Sequence, residues 1–579
     1  MARRGARPQV LAFLAGTLLL LGGAGTFVWR SLSEQAEASI GENSSGYEAP
    51  ANIPSVLPSA SLAGIRAALV TEGANAAWGE PGFYVAETGR WRSWVASLGA
   101  TWTDAAHADV LVLPQQLCLG PENRALIARH LAAGRGIVVN GMMGARNGRC
   151  HALPDTLLAS LLGGRGSVTS FAPWRENSYY ATVLGETALG AGLPPGARIE
   201  MRPANQLVFR DPDRALYYSD FRRGPVAARK QRYYDGAVAR ARVGPGRVVA
   251  FGFELSHLIP GWSEAVSRSV VANAVTWAAG RPVVQVAPWP RGSRAAAVIA
   301  QDVEADFQNA SGAVALLERE KIPATFFVVG RLAERSPWTT RELVRYGEVG
   351  SHSYDHRSVE RLTEAASESV LGHARSATEA LSGRPVAGFR PPEEKFTLNT
   401  LRAWARLGGT YVFAANNSRA AAPELVPLGR DTLVLLARVS DDDFEVLERT
   451  RERDRGVMSR HMVRQVNEVM AYRGVYMFSY HSHMFSRKDL LPVLTSLVET
   501  LKATPGVWVA RAGDVASWWR GRAAIQTAAS PDGSTVRVTN TGRAPFRDGV
   551  LLVDLPTGQQ KRIAIPALAP AQAVDVPVR

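Results

Sequence analysis

Residues 297–306 read AVIAQDVEAD, so that an apolar stretch runs directly into a group of acids. The apolar residues 297–300 predict a buried strand of a parallel sheet. Carboxylates that follow such a strand lie at the carboxyl edge of the sheet, where α/β barrels carry their catalytic groups. Asp302 and Glu304 are therefore candidate active-site residues, although acids in such a place, taken alone, are more often solvated loop residues.

A pair of histidines follows in residues 350–356, which read GSHSYDH. His352 and His356 are four residues apart, so a helical turn here would hold both imidazoles on one side, about 6 Å apart. That separation lets two imidazoles share one cation. Because such pairs also occur by chance on protein surfaces, this one gains weight only together with the other segments.

Two further segments each place a polar side chain beside an apolar stretch. Residues 388–393 read GFRPPE, where prolines keep the loop rigid and Arg390 is suited to orient a carboxylate. Residues 475–483 read VYMFSYHSH, a strand that ends at histidines. His481 is the candidate general acid, and His483 is the reserve candidate for that role.

In this order and spacing, the four segments resemble the polysaccharide deacetylase family, which is carbohydrate esterase family four with its chitooligosaccharide deacetylase homology domain. The resemblance predicts a deacetylase domain over residues 285–522. Residues 321–327, which read KIPATFF, are similar to the family's strand of the form PATFF. Residues 506–510, which read GVWVA, also resemble the end of that domain.

The resemblance implies an irregular (β/α) barrel with a divalent metal at the carboxyl face of its strands. It implies His352 and His356 as metal ligands and zinc as the metal, with cobalt or nickel as alternatives. The family's first motif ends in a general base followed directly by a metal ligand, whereas Val303 separates the two acids here. We take Asp302 as the base and Glu304 as the third ligand; the alternative is that Asp302 itself binds the metal.

The remaining roles also follow from the resemblance. His481 would protonate the leaving amine, and Arg390 would hold Asp302 in position. The family's acid–tryptophan loop, which supports the acid histidine, is not recognisable, because the corresponding residues 414–417 read AANN. This departure keeps open a second class of function, a glycan-binding or assembly protein built on a degenerate deacetylase barrel.

Residues 1–30 have the charge pattern of a signal peptide or a membrane anchor. Three arginines precede the uncharged residues 10–29, which are long enough to span a bilayer core of roughly 30 Å. An uncleaved anchor is the favoured interpretation, with residues 31–61 as a polar linker. The rest of the chain is then expected to be exported to the periplasmic or cell-envelope side and anchored in the inner membrane.

Residues 62–281 have alternating strands and helices, which predict a parallel α/β sheet. The predicted strands lie near residues 65–70, 110–113, 137–139 and 248–253. The segment resembles the class I glutamine amidotransferase-like fold, a flavodoxin-like layout. Active members carry a Cys nucleophile on the turn after a strand, but residues 140–143 read NGMM here. Cys118 follows the preceding strand and His257 has no evident partner, so a non-catalytic role in binding or assembly is predicted.

The composition sets further bounds on partners and compartment. The formal net charge is +14, but the basic residues are scattered and do not alternate with aromatics, so no nucleic-acid groove is predicted. Cys118 and Cys150 are the two cysteines of the chain. In an oxidising compartment they are either one disulfide or two unrelated thiols.

The tail, residues 523–579, has short alternating strands and turns that predict a small β-sandwich. The Pro-rich residues 282–290 and the deacetylase domain separate it from the N-terminal α/β segment.

Together the features of the sequence predict metal-dependent removal of N-acetyl groups from an amino-sugar-containing envelope or extracellular polysaccharide. The alternatives are the degenerate glycan-binding protein and a deacetylase of a small amide or an O-acetyl ester. The expected partners are the N-acetylated polysaccharide, the membrane and proteins of envelope glycan synthesis or export.

Overall fold

The computed structural model describes most of the chain after residue 52. The described residues are 53–57, 60–78, 82–163, 169–171, 179–185, 187–202, 206–210, 216–219, 236–414, 419–449, 453–530 and 532–578. The predicted signal or anchor segment, residues 1–30, lies outside them. Within these ranges, no helix has both the length and the apolar character needed to cross a membrane.

The N-terminal unit, residues 62–281, is built on a six-stranded sheet. The strands are β1 Arg66–Leu69, β2 Thr101–Trp102, β3 Val110–Pro114, β4 Cys118–Leu119, β5 Gly136–Asn140, β6 Arg146–Asn147, β7 Thr169–Phe171, β8 Tyr179–Val183, β9 Arg198–Met201, β10 Gln206–Val208, β11 Leu216–Ser219, β12 Val238–Val243 and β13 Gly246–Phe251. The helices are α1 Phe83–Ser97, α2 Pro121–Ala132, α3 Leu157–Leu161 and α4 Trp262–Ala278.

The main sheet of this unit has the strand order β12-β13-β5-β3-β1-β2. All neighbours are parallel except β12 and β13, which form an antiparallel hairpin at the edge. The four predicted strands are present with small shifts at their ends. β3 and β5 are fully buried, which agrees with their continuous apolar sequence, since a parallel strand is covered on both faces.

Cys118 and Cys150 form a disulfide, with their Cα atoms 5.0 Å apart. Cys118 is therefore not available as a thiol nucleophile. His257, for which the sequence suggested no partner, stacks on the ring of Phe83 and places Nδ1 3.3 Å from a carboxylate oxygen of Glu254. Glu254 is only three residues away, and a short 3₁₀ turn brings the two side chains together.

The predicted Pro-rich junction contains a strand, β14 Val283–Val286, that pairs with the C-terminal tail. The barrel unit, residues 285–522, follows. Its strands are β15 Ala295–Val303, β16 Thr325–Val328, β17 Glu348–Ser351, β18 Gly388–Phe389, β19 Tyr411–Ala414, β20 Glu424–Leu428, β21 Asp431–Ala437, β22 Val475–His481 and β23 Val507–Ala510. Its helices are α5 Ala310–Glu320, α6 Gly330–Arg335, α7 Pro337–Tyr346, α8 Glu364–Ser382, α9 Leu398–Arg406, α10 Arg455–Ala471, α11 Leu491–Ala503 and α12 Ala512–Ala523.

The barrel strands form one curled sheet in the order β20-β21-β19-β18-β17-β16-β15-β22, with β23 also paired to β15. Every pair is parallel except β20 with β21. All nine residues of β15 are buried, so this strand is the centre of the unit. The predicted α/β class and barrel domain are confirmed as a mixed α/β fold with an open, curled half-barrel; the flavodoxin-like layout of the N-terminal unit stays a prediction.

Parallel pairing sets the position of the candidate site. Because β15, β17, β18, β21 and β22 run in the same direction, the residues that end or follow them lie at one edge of the sheet. Asp302 is paired with His481 in register, and Ser351, just before His352, is paired with Phe389, just before Arg390. Segments far apart in sequence are thereby brought together.

The C-terminal tail forms two three-stranded sheets that share an apolar core. Its strands are β24 Ile525–Ala529, β25 Thr535–Asn540, β26 Val550–Asp554, β27 Gln560–Ala564 and β28 Ala573–Pro577. One sheet has the order β24-β25-β28, and the other has the order β14-β26-β27. Val286 of β14 belongs to the same buried cluster as Val538 and Leu551. The junction is thus part of the tail's fold, which the sequence did not predict.

A buried ion pair ties the N-terminal unit to this tail, and it gives a stability prediction. The Arg240 NH1 group lies 2.7 Å from Asp554 Oδ1, with side chains 7% and 6% exposed. Removing one partner leaves a buried charge, so Arg240→Met is expected to cost about 3–5 kcal/mol of stability. Chemical unfolding followed by tryptophan fluorescence measures this, and Arg240→Met/Asp554→Leu should recover part of the loss. A midpoint unchanged in the single variant would contradict the prediction.

Candidate metal centre and active site

The candidate site opens at the carboxyl edge of the barrel sheet as a cavity of about 510 Å³. Its walls carry the predicted site residues, namely Asp302, Glu304, His352, His356, Arg390 and His481. The structure therefore brings together all six residues that were singled out from the sequence. Phe444 and Met484 add apolar surface, and the Phe444 side chain is substantially exposed.

Asp302 is the last residue but one of β15 and is held by Arg390. Oδ2 of Asp302 accepts a hydrogen bond from Arg390 Nε at 2.5 Å, and both side chains are almost fully buried. Burial opposes the charge of Arg390, but the attraction of Asp302 and Glu394 outweighs it and raises the pKa of the guanidinium. Oδ1 of Asp302 is buried without a hydrogen-bond partner. One oxygen is thus fixed, and the other is left for a group in the cavity.

Glu304, His352 and His356 form a compact cluster beside Asp302. One ligand atom from each lies within 4.8 Å of the others. Oε2 of Glu304 is 2.6 Å from His356 Nε2 and 3.4 Å from His352 Nε2. Burial would raise the pKa of Glu304, but the contacts with the two imidazoles lower it far below its ordinary value.

The donor set suits a divalent cation better than it suits direct hydrogen bonding. His352 Nδ1 donates to the backbone oxygen of Arg390 at 2.8 Å, which leaves the lone pair of Nε2 directed at Glu304. Such an outer hydrogen bond is typical of metal-ligating histidines. Oε2 of Glu304 is buried and has no hydrogen bond of good geometry, although two imidazole nitrogens face it. Two imidazoles and one carboxylate are the ligands of open zinc sites.

The spacing of the histidine pair suggested a helical turn, but the pair does not lie on one. Residues 352–356 form an irregular loop after β17. Ser353 and His356 adopt left-handed backbone angles, with φ of 63° and 66°. Ser353 Oγ accepts a hydrogen bond from His356 N at 2.9 Å, and the two imidazole centroids lie 4.9 Å apart. The two imidazoles are close together, as predicted, but the predicted helical turn is absent. The left-handed residues Ser353 and His356 interrupt the helical backbone.

His481 is oriented by an acid that the sequence did not indicate. Asp443 Oδ1 lies 2.6 Å from His481 Nδ1, and Asp443 Oδ2 accepts from the backbone N–H groups of His481 and Phe485 at 2.8 and 3.1 Å. Burial lowers the pKa of His481, but Asp443 outweighs this and the pKa rises to about 10. Nε2 of His481 points back to Oδ2 of Asp302 at 3.7 Å. The imidazole is therefore charged at neutral pH.

The sequence shows no acid–tryptophan loop near residues 414–417, yet His481 does have a supporting acid. Residues 415–417 lie outside the described part of the chain. The acid that supports the histidine comes instead from residues 441–445, which read DDDFE. Asp443 precedes Phe444, whose ring centroid lies 6.4 Å from that of His481. An acid followed by an aromatic residue was the signal that could have identified this segment.

His483, the reserve candidate for the acid, occupies a different place. Its Nδ1 is 3.5 Å from Oε1 of Glu304 and has no hydrogen-bond partner. Because it faces the ligand cluster and does not contact Asp443, the geometry favours His481 as the proton donor.

The contact between Asp443 and His481 gives a prediction for the pH dependence of activity. A general acid works while it is protonated, so a pKa raised to about 10 keeps the activity up to alkaline pH. Asp443→Asn removes the largest of the charges that raise the pKa of His481, so that only Asp302 and Asp442 still oppose the lowering by burial. The alkaline limb of the kcat profile is expected to move to lower pH. Acetate release measured across pH checks this prediction. An alkaline limb of the variant's kcat profile that stays at the wild-type position, with the acid limb also unchanged, would contradict it.

Carboxylates and imidazoles at the carboxyl edge of an open, curled and mostly parallel sheet are the arrangement of a hydrolase site on an α/β barrel. Residues 297–412 match the family model described as polysaccharide deacetylase. The chain therefore carries a polysaccharide deacetylase domain, and the prediction of a deacetylase-class hydrolase is confirmed. The resemblance of the N-terminal unit to amidotransferases stays a prediction.

Solved structures are similar to about two-fifths of this chain. A putative polysaccharide deacetylase from Mycobacterium smegmatis is 21% identical, over 41% of this chain and 93% of that chain, with a TM-score of 0.37. A probable polysaccharide deacetylase from Pseudomonas aeruginosa PAO1 is 18% identical, over 40% and 94%, with a TM-score of 0.36. A CE4 family pseudoenzyme from Bacillus anthracis is 16% identical, over 40% and 68%, with a TM-score of 0.29. No curated protein matches the sequence.

Proposed function

We propose that this protein removes N-acetyl groups from an amino-sugar-containing envelope or extracellular polysaccharide, with a divalent metal bound by Glu304, His352 and His356. The observation that carries the proposal is the position of this cluster in one cavity with Asp302 and His481. What a divalent cation supplies in such a site is polarisation of the acetyl carbonyl and a lowered pKa of water.

The side chains of the site divide the proton transfers between them. Asp302 takes the proton of the attacking water, and Arg390 fixes one oxygen of this carboxylate. His481, held charged by Asp443, gives a proton to the leaving amine. Both groups face the same cavity, and with Nε2 of His481 3.7 Å from Oδ2 of Asp302 one bound acetamido group can reach both.

A polymer substrate is favoured by the organisation of the chain. The barrel unit is flanked by an N-terminal unit and a C-terminal β unit, which a hydrolase of a small amide or ester does not need. Zinc is the metal proposed, with cobalt or nickel as alternatives, because the donors are two nitrogens and one carboxylate.

We also propose that the protein works outside the cytoplasm. The Cys118–Cys150 disulfide supports an oxidising compartment, and the sequence of residues 10–29 supports export with an inner-membrane anchor. Proteins of envelope glycan synthesis or export are the expected neighbours there. The N-terminal unit is proposed to be flavodoxin-like in layout, on its strand order, and non-catalytic, since Cys118 is in the disulfide.

The test is acetate release from N-acetylglucosamine oligomers by the purified chain, before and after chelation and again after Zn²⁺ or Co²⁺ is restored. Release that disappears with chelation and returns with metal supports the proposal. Release from a small amide or an O-acetyl ester alone would move the function to that substrate class. A chain that neither binds metal nor releases acetate would instead be the glycan-binding protein on a degenerate barrel.

A further inference from the structure

A buried chain of ion pairs runs along the wall of the cavity from the base to the acid. Glu394 is its central member. Oε1 of Glu394 accepts from Arg390 NH2 at 2.8 Å and from Arg438 Nε at 2.9 Å. Oε2 accepts from Arg438 NH2 at 2.8 Å. The arginine that holds Asp302 is therefore joined through one carboxylate to a second buried arginine.

Arg438 continues the chain to the segment that carries Asp443. It follows β21 and its side chain is only 1% exposed. Its NH2 donates to Asp442 Oδ2 at 3.0 Å and its NH1 to Glu445 Oε2 at 2.8 Å. Asp442 and Glu445 also bond to each other's backbone N–H groups. The acidic loop, residues 441–445, is thus closed around Asp443, with Arg438 bonded on both sides of it.

The backbone at Glu394 is strained, and the buried side-chain contacts of Glu394 help to hold it. Glu393 and Glu394 are consecutive non-glycine residues in the left-handed region, with φ of 56° and 59°. Such a backbone conformation is strained for a non-glycine residue and persists only where the surroundings enforce it. The side chain of Glu393 is largely exposed and pairs with Lys395 at the surface. The turn is held by the backbone hydrogen bond from Glu394 N to Pro391 O and by the contacts of Glu394 with the two arginines.

We propose that Glu394 and Arg438 are positioning residues that fix the base Asp302 and the acid His481 relative to each other. They touch neither proton-transferring group. Glu394 acts through Arg390 on Asp302, and Arg438 acts through the acidic loop on Asp443 and hence on His481. The roles of Asp302 as base and His481 as acid rest on the proposed function. The hydrogen-bonded geometry that connects them does not.

Two variants of the full chain test the proposal. Glu394→Gln keeps the shape of the side chain and removes the charge between two arginines. Arg438→Lys keeps the charge, but one ammonium cannot hold Glu394, Asp442 and Glu445 as the planar guanidinium does. Glu424→Gln is the matched control, because Glu424 is a buried carboxylate that pairs with Arg419 at 3.1 Å on β20, away from the cavity.

Each variant is expected to lower kcat about 10- to 100-fold, as outer-sphere partners typically do, with KM and bound metal as in the wild type. The double variant should fall no further than the worse single one, because the two residues form one unit. A crystal structure of each variant should show the Asp443–His481 contact lengthened or lost.

The proposal is overturned if both variants keep the wild-type kcat and the Asp443–His481 contact. It is also overturned if the activity falls only in proportion to folded protein or bound metal, which is the signature of a purely structural role. If the wild type releases no acetate from any substrate, the proposed function fails. The crystallographic contact then still decides whether Glu394 and Arg438 position His481.

Discussion

The Asp302→Asn variant is expected to lose about 10³-fold in kcat for acetate release, since general base catalysis typically contributes 10²–10⁴-fold. Asparagine has nearly the same shape as aspartate but cannot accept the proton of a water. The change also leaves the buried Arg390 with Glu394 as its remaining charged partner. Steady-state acetate release from N-acetylglucosamine oligomers, at saturating metal, is the measurement.

The metal content of the same variant separates two roles for Asp302. Asp302 is held by Arg390, whereas Glu304 completes the ligand cluster with the histidines. We therefore expect Asp302→Asn to keep its metal while it loses activity. Loss of the metal would instead make Asp302 a ligand, which was the alternative left open by Val303 between the two acids. Asp306→Asn, at an exposed acid four residues further on, is the control and should retain full activity.

The parts of the site that could be predicted from sequence are those that lie within a few residues of a strand end. Asp302, His352, Arg390 and His481 each directly end or follow a strand of the parallel sheet. Parallel pairing then places them at one edge whatever the connecting segments do. The sequence had only to indicate strands and the polar residues that follow them.

Asp443 could not be predicted in the same way. It is 38 residues before the histidine that it supports, and no fixed spacing joins the two. Asp443 lies in a run of acids, and such runs are usually solvated surface. Asp442 and Glu445 of this run are buried here because Arg438 neutralises them. An arginine that is itself only 1% exposed cannot be recognised from residue type alone.

The junction strand β14 shows the same limit at the level of the fold. Its four residues, Val283–Val286, precede the barrel, yet they pair with β26 at the far end of the chain. A short apolar segment between prolines is typical of a linker, and nothing local reveals a partner that distant in sequence. Pairing of this kind depends on the tertiary arrangement, which also explains why the buried Arg240–Asp554 pair could not be predicted.

The His352→Ala variant is expected to lose the metal and more than about 100-fold in activity, since the loss of even an outer-shell partner of a ligand typically costs 10–100-fold. His352 is the most buried of the three ligand candidates, at 2% exposed against 14% for Glu304 and 38% for His356. Its Nδ1 is fixed by the Arg390 backbone oxygen, so its Nε2 is the best oriented donor of the cluster.

Metal per chain, measured by elemental analysis after dialysis, is the primary readout, and acetate release is the second. His107→Ala is the matched control, because His107 is an exposed imidazole that contacts Asp104 on the N-terminal unit. If His352→Ala keeps a full complement of metal, the cluster is not the metal site and the proposed function loses its support. If metal and activity fall together while His107→Ala is unchanged, the degenerate-barrel alternative is excluded, because a chain that only binds glycan has no activity to lose with its metal.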